Sequence, residues 1–360
     1  MGELPAEIWM VIFTQARFSI EQALCVRAVC KLWRNLCTKL ILGGDQVNDH
    51  MMLARHPSIC GALDLDGPIL FGGVRTITVL MWCHHVPVRP FGVSAGLIET
   101  IDLFYARPPK GHSWTTEHLR DIFAACCSLK VCRILGMRVD LADDGAQVTA
   151  SPKLHSLRLM AASEPDTFRW SLQSWKNIDV LRRLSLSRWS GSTAAWCVLL
   201  SRLPALLAIT VSDCPYFDDV ACSALFAHCS KLQSASFIDH SGILTPRIIF
   251  SCAGKLKDLR MLRLDRDDLA GDVFITVDDL LTTSGVDEDL SNDLFPALES
   301  FSIRGYRIPA AGLIAFVSAL PSLQRCGFSV DPRVYRMMKQ IIAHQRPRVQ
   351  VSPMLHINDI

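Results

Sequence analysis

A short pattern of apolar residues at first, fourth and sixth positions recurs along the chain, and it restricts the possible folds more than any other feature. It runs through Leu129-Cys132-Ile134, Leu154-Leu157-Leu159, Leu181-Leu184-Leu186, Leu206-Ile209-Val211, Leu232-Ala235-Phe237, Leu259-Leu262-Leu264, Leu298-Phe301-Ile303 and Leu323-Cys326-Phe328. Successive starts lie 25, 27, 25, 26, 27, 39 and 25 residues apart. A repeat of that length is one supersecondary unit. Side chains alternate along an extended backbone, so the fourth and sixth residues point inward and the fifth points out. Between strands the spacing turns helical. Thr115 precedes Leu119, Ile122 and Phe123; Thr193 precedes Trp196, Leu199 and Leu200; Asp218 precedes Val220, Leu225 and Phe226. Each leading residue has a side-chain oxygen suited to a helix N-cap. A lone strand-plus-helix unit cannot bury its apolar side, so the units must stack, and an α/β solenoid of short parallel strands is expected.

The pattern resembles leucine-rich repeats. The segment Leu206 to Leu232, LxxIxVxxCPxxD followed by Cys229-x-x-Leu232, is similar to the cysteine-containing class found beside F-boxes. Ala235 and Cys326 stand where that family has its central leucine, so the repeats are degenerate. The resemblance implies a curved stack over residues 59–360. Ile98-Ile101-Leu103 and Val74-Ile77-Val79 fit earlier strands, and Ile59 to Leu65 another. Residues 43–58, with Gly43, Gly44 and Pro57, read as a joint. At the far end Asp331 to Gln345 reads as a helix with Pro332 in its first turn, and Val349-Gln350-Val351 as a closing strand, so residues 331–360 form a cap. The long interval holds an acidic insertion over 265–295, ten carboxylates against the single Arg266. It reads as a solvated loop. Neither of its clusters has the Gly and Glu spacing of an EF-hand.

The first 42 residues read differently. Leu4-Pro5 opens a helix carrying Ile8 and Ile12 on one side and Trp9 and Phe13 on the next. A second short helix starts at about Ser19, and a third carries Val29, Trp33, Leu36 and Leu40. Three helices in so few residues bury too little surface to stand alone and need a partner. Leu4-Pro5-x-Glu7-Ile8 with Ile12-Phe13, then Val29-Cys30-Lys31-x-Trp33-Arg34-x-Leu36, resembles an F-box. That resemblance implies docking onto the Skp-type adaptor of a cullin-RING ubiquitin ligase, with the rest of the chain selecting a protein substrate. It implies that Leu4, Pro5, Ile8, Ile12, Phe13, Val29 and Trp33 face the adaptor or the motif's own small core. A bare helical cap on the solenoid is the plainer alternative.

Composition narrows the remaining classes. Lys and Arg number 37 against 35 Asp and Glu, so net charge gives no drive toward nucleic acid. The longest stretch without charge, Ile308 to Gln324, is broken by Pro309, Gly312 and Pro321 and falls short of a membrane span. Gly2, Glu3 and Glu7 stand where a secretory signal would be basic and then apolar. The 14 cysteines are therefore expected to be reduced, in cytoplasm or nucleus. No two sit at CxxC spacing, and Cys83-His84-His85 is the nearest ligand-like group; adjacent residues do not converge on one metal. No metal or cofactor is expected, and no phosphate-binding GxxxxGK[ST] loop or HExxH helix occurs. An enzyme would need a diverged site near Cys83 or in the acidic insertion; a non-catalytic receptor, or a scaffold that pairs with the adaptor without driving degradation, fits better.

The resemblance places binding on the concave, outward side of the strands. The fifth positions read Arg133, Arg158, Ser185, Thr210, Ser236, Arg263, Ser302 and Gly327, without a carboxylate. Third and seventh positions add Ser156, Arg183, Ser187, Ser212, Ser234, Ser300, Arg304, Arg325 and Ser329. Such a strip of hydroxyls and guanidiniums suits an acidic or phosphorylated substrate segment. Small polar residues also suit a solvated strand face that binds nothing.

Overall fold

The computed structural model describes residues 50–55, 76–81, 98–105, 116–137, 148–161, 175–239, 244–245, 248, 255–266, 295–305, 310–328 and 332–353. The chain divides into two units, residues 1–164 with 174–177, and residues 165–173 with 178–360.

In the first unit, strands β1 (His50–Arg55), β2 (Thr76–Met81), β3 (Thr100–Tyr105), β4 (Val131–Met137) and β5 (Ser156–Ala161) lie side by side in chain order. Every neighbouring pair is parallel. The registers align Met51, Ile77, Ile101, Cys132 and Leu157 in one row, and Leu53, Val79, Leu103, Ile134 and Leu159 in another. Parallel strands cannot be joined by a tight hairpin and need a crossover. Helix α1 (Thr116–Ala125) is the crossover between β3 and β4, and its Leu119, Ile122 and Phe123 are buried as the helical spacing requires. Phe123 packs edge-on against Trp175 at 5.3 Å.

β1 occupies 50–55, within the stretch 43–58 that reads as a joint. Met51 and Leu53 take the fourth and sixth positions there, but Asn48 stands where the leading leucine would be, and the repeat signature is lost. Glycines before the strand and a proline after it made the whole stretch look like a linker.

The second unit continues with β6 (Arg183–Ser187), β7 (Ala208–Ser212), β8 (Ser234–Asp239), β9 (Met261–Arg266), β10 (Ser300–Arg304), β11 (Arg325–Phe328) and β12 (Gln350–Pro353), again parallel and in chain order. Its helices are α2 (Thr193–Ser201), α3 (Asp219–His228), α4 (Ala310–Ala319) and α5 (Pro332–Gln345). Leu184, Ile209, Ala235, Leu262, Phe301, Cys326 and Val351 form one register row. The α/β solenoid expected from the repeats is therefore what each unit shows. All eight leading leucines are buried, from Leu129 at 0% exposure to Leu323 at 3%.

A further periodic element lies three residues before each leading leucine. The leucine's N–H donates to the carbonyl of that residue: Leu129 to Cys126, Leu154 to Ser151, Leu181 to Ile178, Leu206 to Leu203, Leu232 to Cys229 and Leu259 to Leu256. These tight turns satisfy backbone groups that the crossover would otherwise bury unpaired. The Cys229-x-x-Leu232 motif is one such turn. Cys229 Sγ donates to Leu203 O at 3.4 Å, so the cysteine ties its turn to the preceding one.

Aromatic packing fills the space between α2, α3 and the strands. Trp189 meets Trp196 at 4.4 Å, Trp196 meets Phe217 at 4.7 Å, and Phe217 meets Phe237 at 5.6 Å. The N-cap of α2 is Ser192, one residue before the expected Thr193; its Oγ accepts from Ala195 N–H at 3.3 Å. Thr193 instead donates its hydroxyl to Asp218 Oδ2 at 2.7 Å. Asp218 caps α3 as expected, accepting from the N–H groups of Val220 and Ala221 at 3.0 Å.

Candidate functional site

Register converts the fifth positions into columns, one on each unit. In the first unit Asp102, Arg133 and Arg158 lie side by side across β3, β4 and β5. In the second, Ser185, Thr210, Ser236, Arg263, Ser302 and Gly327 lie side by side from β6 to β11, and Ser352 extends the row on β12. The flanking third-position column of that unit holds Arg183, Ala208, Ser234, Met261, Ser300, Arg325 and Gln350. Among these, Arg183, Met261, Arg325 and Gln350 are exposed, whereas Gly327 in the fifth column is buried.

The charges on these columns are not equivalent. Arg133 Nη1 lies 3.2 Å from Asp102 Oδ2, and Asp102 is only 8% exposed. The eight fifth positions from Arg133 to Gly327 carry no carboxylate, but β3 adds one to the column, because Asp102 takes the fifth position between Ile101 and Leu103. Arg263 is likewise engaged. Its Nε donates to Asp265 Oδ2 at 2.9 Å, and its Nη2 bonds the same oxygen. Residues i and i+2 of a strand share a face, which is why this pair forms within β9. Arg158 is exposed and its side chain bonds no described residue. Of the three arginines expected at fifth positions, it alone offers an uncompensated guanidinium.

Asp265 is 5% exposed and Arg266 9%, and both belong to β9. At the other end of the acidic segment, Phe295 is fully buried and its carbonyl closes the turn to Leu298. The two ends of the segment assigned to 265–295 therefore belong to the repeat framework.

The cysteines of the described core are packing and weak-donor groups. Cys214 Sγ donates to Ser212 O at 3.3 Å and to Leu186 O at 3.7 Å. Burial pushes the Cys229 and Cys326 thiols up to about 12, and burial with the neighbouring Cys127 does the same for Cys126. Burial raises Cys132 further, helped by Cys126 and Asp102. Such thiols remain protonated and are poor nucleophiles and poor metal ligands. Among the described residues no group of three His, Cys, Asp or Glu is placed to hold a metal ion. No described helix is long and apolar enough to cross a membrane.

Several expected site residues lie outside the described residues: Leu4, Pro5, Ile8, Ile12, Phe13, Val29 and Trp33, the Cys83-His84-His85 group, and Ser329. One sequence feature escaped notice, Gly92-Val93-Ser94-Ala95-Gly96, which has the GxSxG pattern. A nucleophile elbow needs that serine on a strand-to-helix turn. Here the pentapeptide is outside the described residues and the next described element is a strand, β3.

No family model matches the sequence, and no curated protein matches it. Among solved structures the chain is similar to InlP of Listeria monocytogenes, at 14% identity and a TM-score of 0.37, over 81% of this chain and 68% of that one. It is also similar to the yeast Rad7 and Elc1 complex, at 15% identity and a TM-score of 0.43, over 96% of this chain and 90% of that one. Values this low leave the fold to rest on the strands' own pairing and burial.

Proposed function

We propose that this chain is the substrate-recognition subunit of a Skp/cullin/F-box ubiquitin ligase, acting in the cytoplasm or nucleus and performing no bond chemistry itself. The observation that carries the receptor half of this reading is the in-register column from Ser185 to Ser302, flanked by exposed Arg183 and Arg325. A row of adaptable hydroxyls with guanidiniums at its margin suits an extended polypeptide. The adaptor half rests on the N-terminal motif, with Leu4, Pro5, Ile8, Ile12, Phe13, Val29 and Trp33 as its contact or core residues. Catalysis would come through proximity: a captured protein has its lysines held at high effective concentration near the ligase's charged conjugating enzyme.

A chain with the same two contacts that never recruits a cullin would be an assembly scaffold. Deleting residues 1–45 and following the half-life of a captured protein separates the two. The receptor reading requires that half-life to lengthen; an unchanged half-life with retained capture supports the scaffold.

A further inference from the structure

The turns that lead into β11 and β12 enclose a groove of about 890 Å³ at the strands' entry edge of the second unit. Its described lining includes Arg325, Arg346 and Arg348 with Gln324, Gln345 and Gln350, and no Asp or Glu is among the described lining residues.

Two of these groups are already committed. Arg346 donates through Nη1 to Ser318 O at 3.2 Å and through Nη2 to Leu320 O and Pro321 O at 2.9 Å, so it caps the carbonyl end of α4. Gln345 Oε1 accepts from Ser318 Oγ at 3.0 Å. Arg325 and Arg348 are exposed, and their side chains bond no described residue.

The contrast with other strand arginines is direct. Arg133 has Asp102 beside it, Arg263 has Asp265, and Arg260 has Glu299 at 3.4 Å. The register neighbours of Arg325 are Ser300 and Gln350, neither of which carries charge. Glu299, whose backbone carbonyl accepts from Arg325 N–H, directs its carboxylate to Arg260. The surrounding sequence deepens the imbalance. Residues 332–353 hold Arg333, Arg336, Lys339, Arg346 and Arg348 without one Asp or Glu, in a chain whose net charge is only +2. Like charges lining a concave wall, here Arg325, Arg346 and Arg348, focus a positive potential there.

From this we infer that the groove is a docking site for a linear Asp- and Glu-rich segment of a partner protein. Arg325 and Arg348 take one carboxylate each, and the Gln324 and Gln350 amides take its backbone. Separate guanidiniums suit separated carboxylates, each of which Arg can grip with two parallel bonds. A single phosphate is favoured where several free donors converge, and the third guanidinium of this groove is spent on α4. The inference stands whether or not the N-terminal segment binds an adaptor, since it concerns only this unit.

The test is fluorescence anisotropy of a labelled peptide of alternating Asp and Glu titrated with the full chain at low salt. Saturable binding is expected, weakened about tenfold or more by Arg325→Glu with Arg348→Glu, a loss of about 1.4 kcal/mol or more. The neutral pair Arg325→Gln with Arg348→Gln should fall between that variant and the unmodified chain. Lys231→Glu with Lys257→Glu makes the same change in net charge on exposed residues in the turns before β8 and β9, and should leave binding intact. Circular dichroism confirms that each variant is folded. Equal loss in the lysine control, unchanged binding in the arginine variant, or capture of a singly phosphorylated neutral peptide in place of the acidic one would each overturn the inference.

Discussion

Asp102 and Arg133 are register partners on neighbouring parallel strands, and their side chains meet at 3.2 Å with the carboxylate almost entirely buried. The pair silences the first cation of its column and leaves Arg158, the next residue along, as the charge available to a ligand. Asp102→Asn should therefore release Arg133. The expected cost in stability is modest, about 1 kcal/mol, because half of the pair is solvated. Binding of an acidic partner to this unit should strengthen. A variant that loses stability without gaining affinity would show that the column does not engage the partner.

Arg158 and Arg263 look alike in sequence and should behave differently. Arg263→Ala leaves Asp265, which is 5% exposed, without its guanidinium. Chemical denaturation should report a loss of about 1–3 kcal/mol. Arg158→Ala removes an exposed side chain with no described partner and should change stability by no more than about 0.5 kcal/mol. Its effect should appear in partner affinity instead.

Gly305 has φ +77°, at the eighth repeat position, where Arg188 and Asp213 also take left-handed backbone. A Cβ on Gly305 would lie 2.0 Å from the backbone oxygen of Arg266. Gly305→Ala therefore combines conformational strain with a clash against backbone that cannot rotate away, and should cost at least about 1–2 kcal/mol. At Gly191 the Cβ would meet the Trp189 ring at 2.3 Å. Gly191→Ala should displace that buried indole, lowering thermal stability and shifting tryptophan emission to longer wavelength.

The buried thiols make stability depend on alkaline pH. Cys126, Cys229 and Cys326 ionise at about 12 in the folded chain, against an ordinary value of 9.0. The unfolded chain therefore loses these protons first as pH rises. Their contribution is complete below pH 9 and drains away between about 9 and 12. Melting temperature should fall across that window. In the native protein at pH 8, a thiol reagent should modify exposed Cys127 rapidly while these three react only on unfolding.

The interior was readable because it follows a period of two. Leu184 and Leu186, or Ile209 and Val211, declare a strand by spacing alone, and burial follows from it. β1 was not readable, since Asn48 breaks the pattern at its first residue. The electrostatics of the outward face were only half readable. The sequence shows that Arg133 and Arg263 occupy fifth positions, but partner choice depends on cross-strand register and on where a strand ends. Asp102 became visible as a partner only through the β3–β4 register. Asp265 was masked by its acidic neighbours Asp267 and Asp268, which made it look like the first residue of a loop. Arg348 stands outside the repeat pattern altogether, and only the folding of the last two turns around one groove places it on the same groove as Arg325.

The most direct test of the receptor reading is co-purification of the full chain with a recombinant Skp-type adaptor, in parallel with a truncation lacking residues 1–45 and with Trp33→Ala. The account predicts a stable stoichiometric complex that is lost on truncation. In a variant whose solenoid remains folded, Trp33→Ala should weaken that complex by about 2 kcal/mol or more, the loss expected when an interface aromatic is truncated. A well-folded full-length chain that fails to bind the adaptor would contradict it.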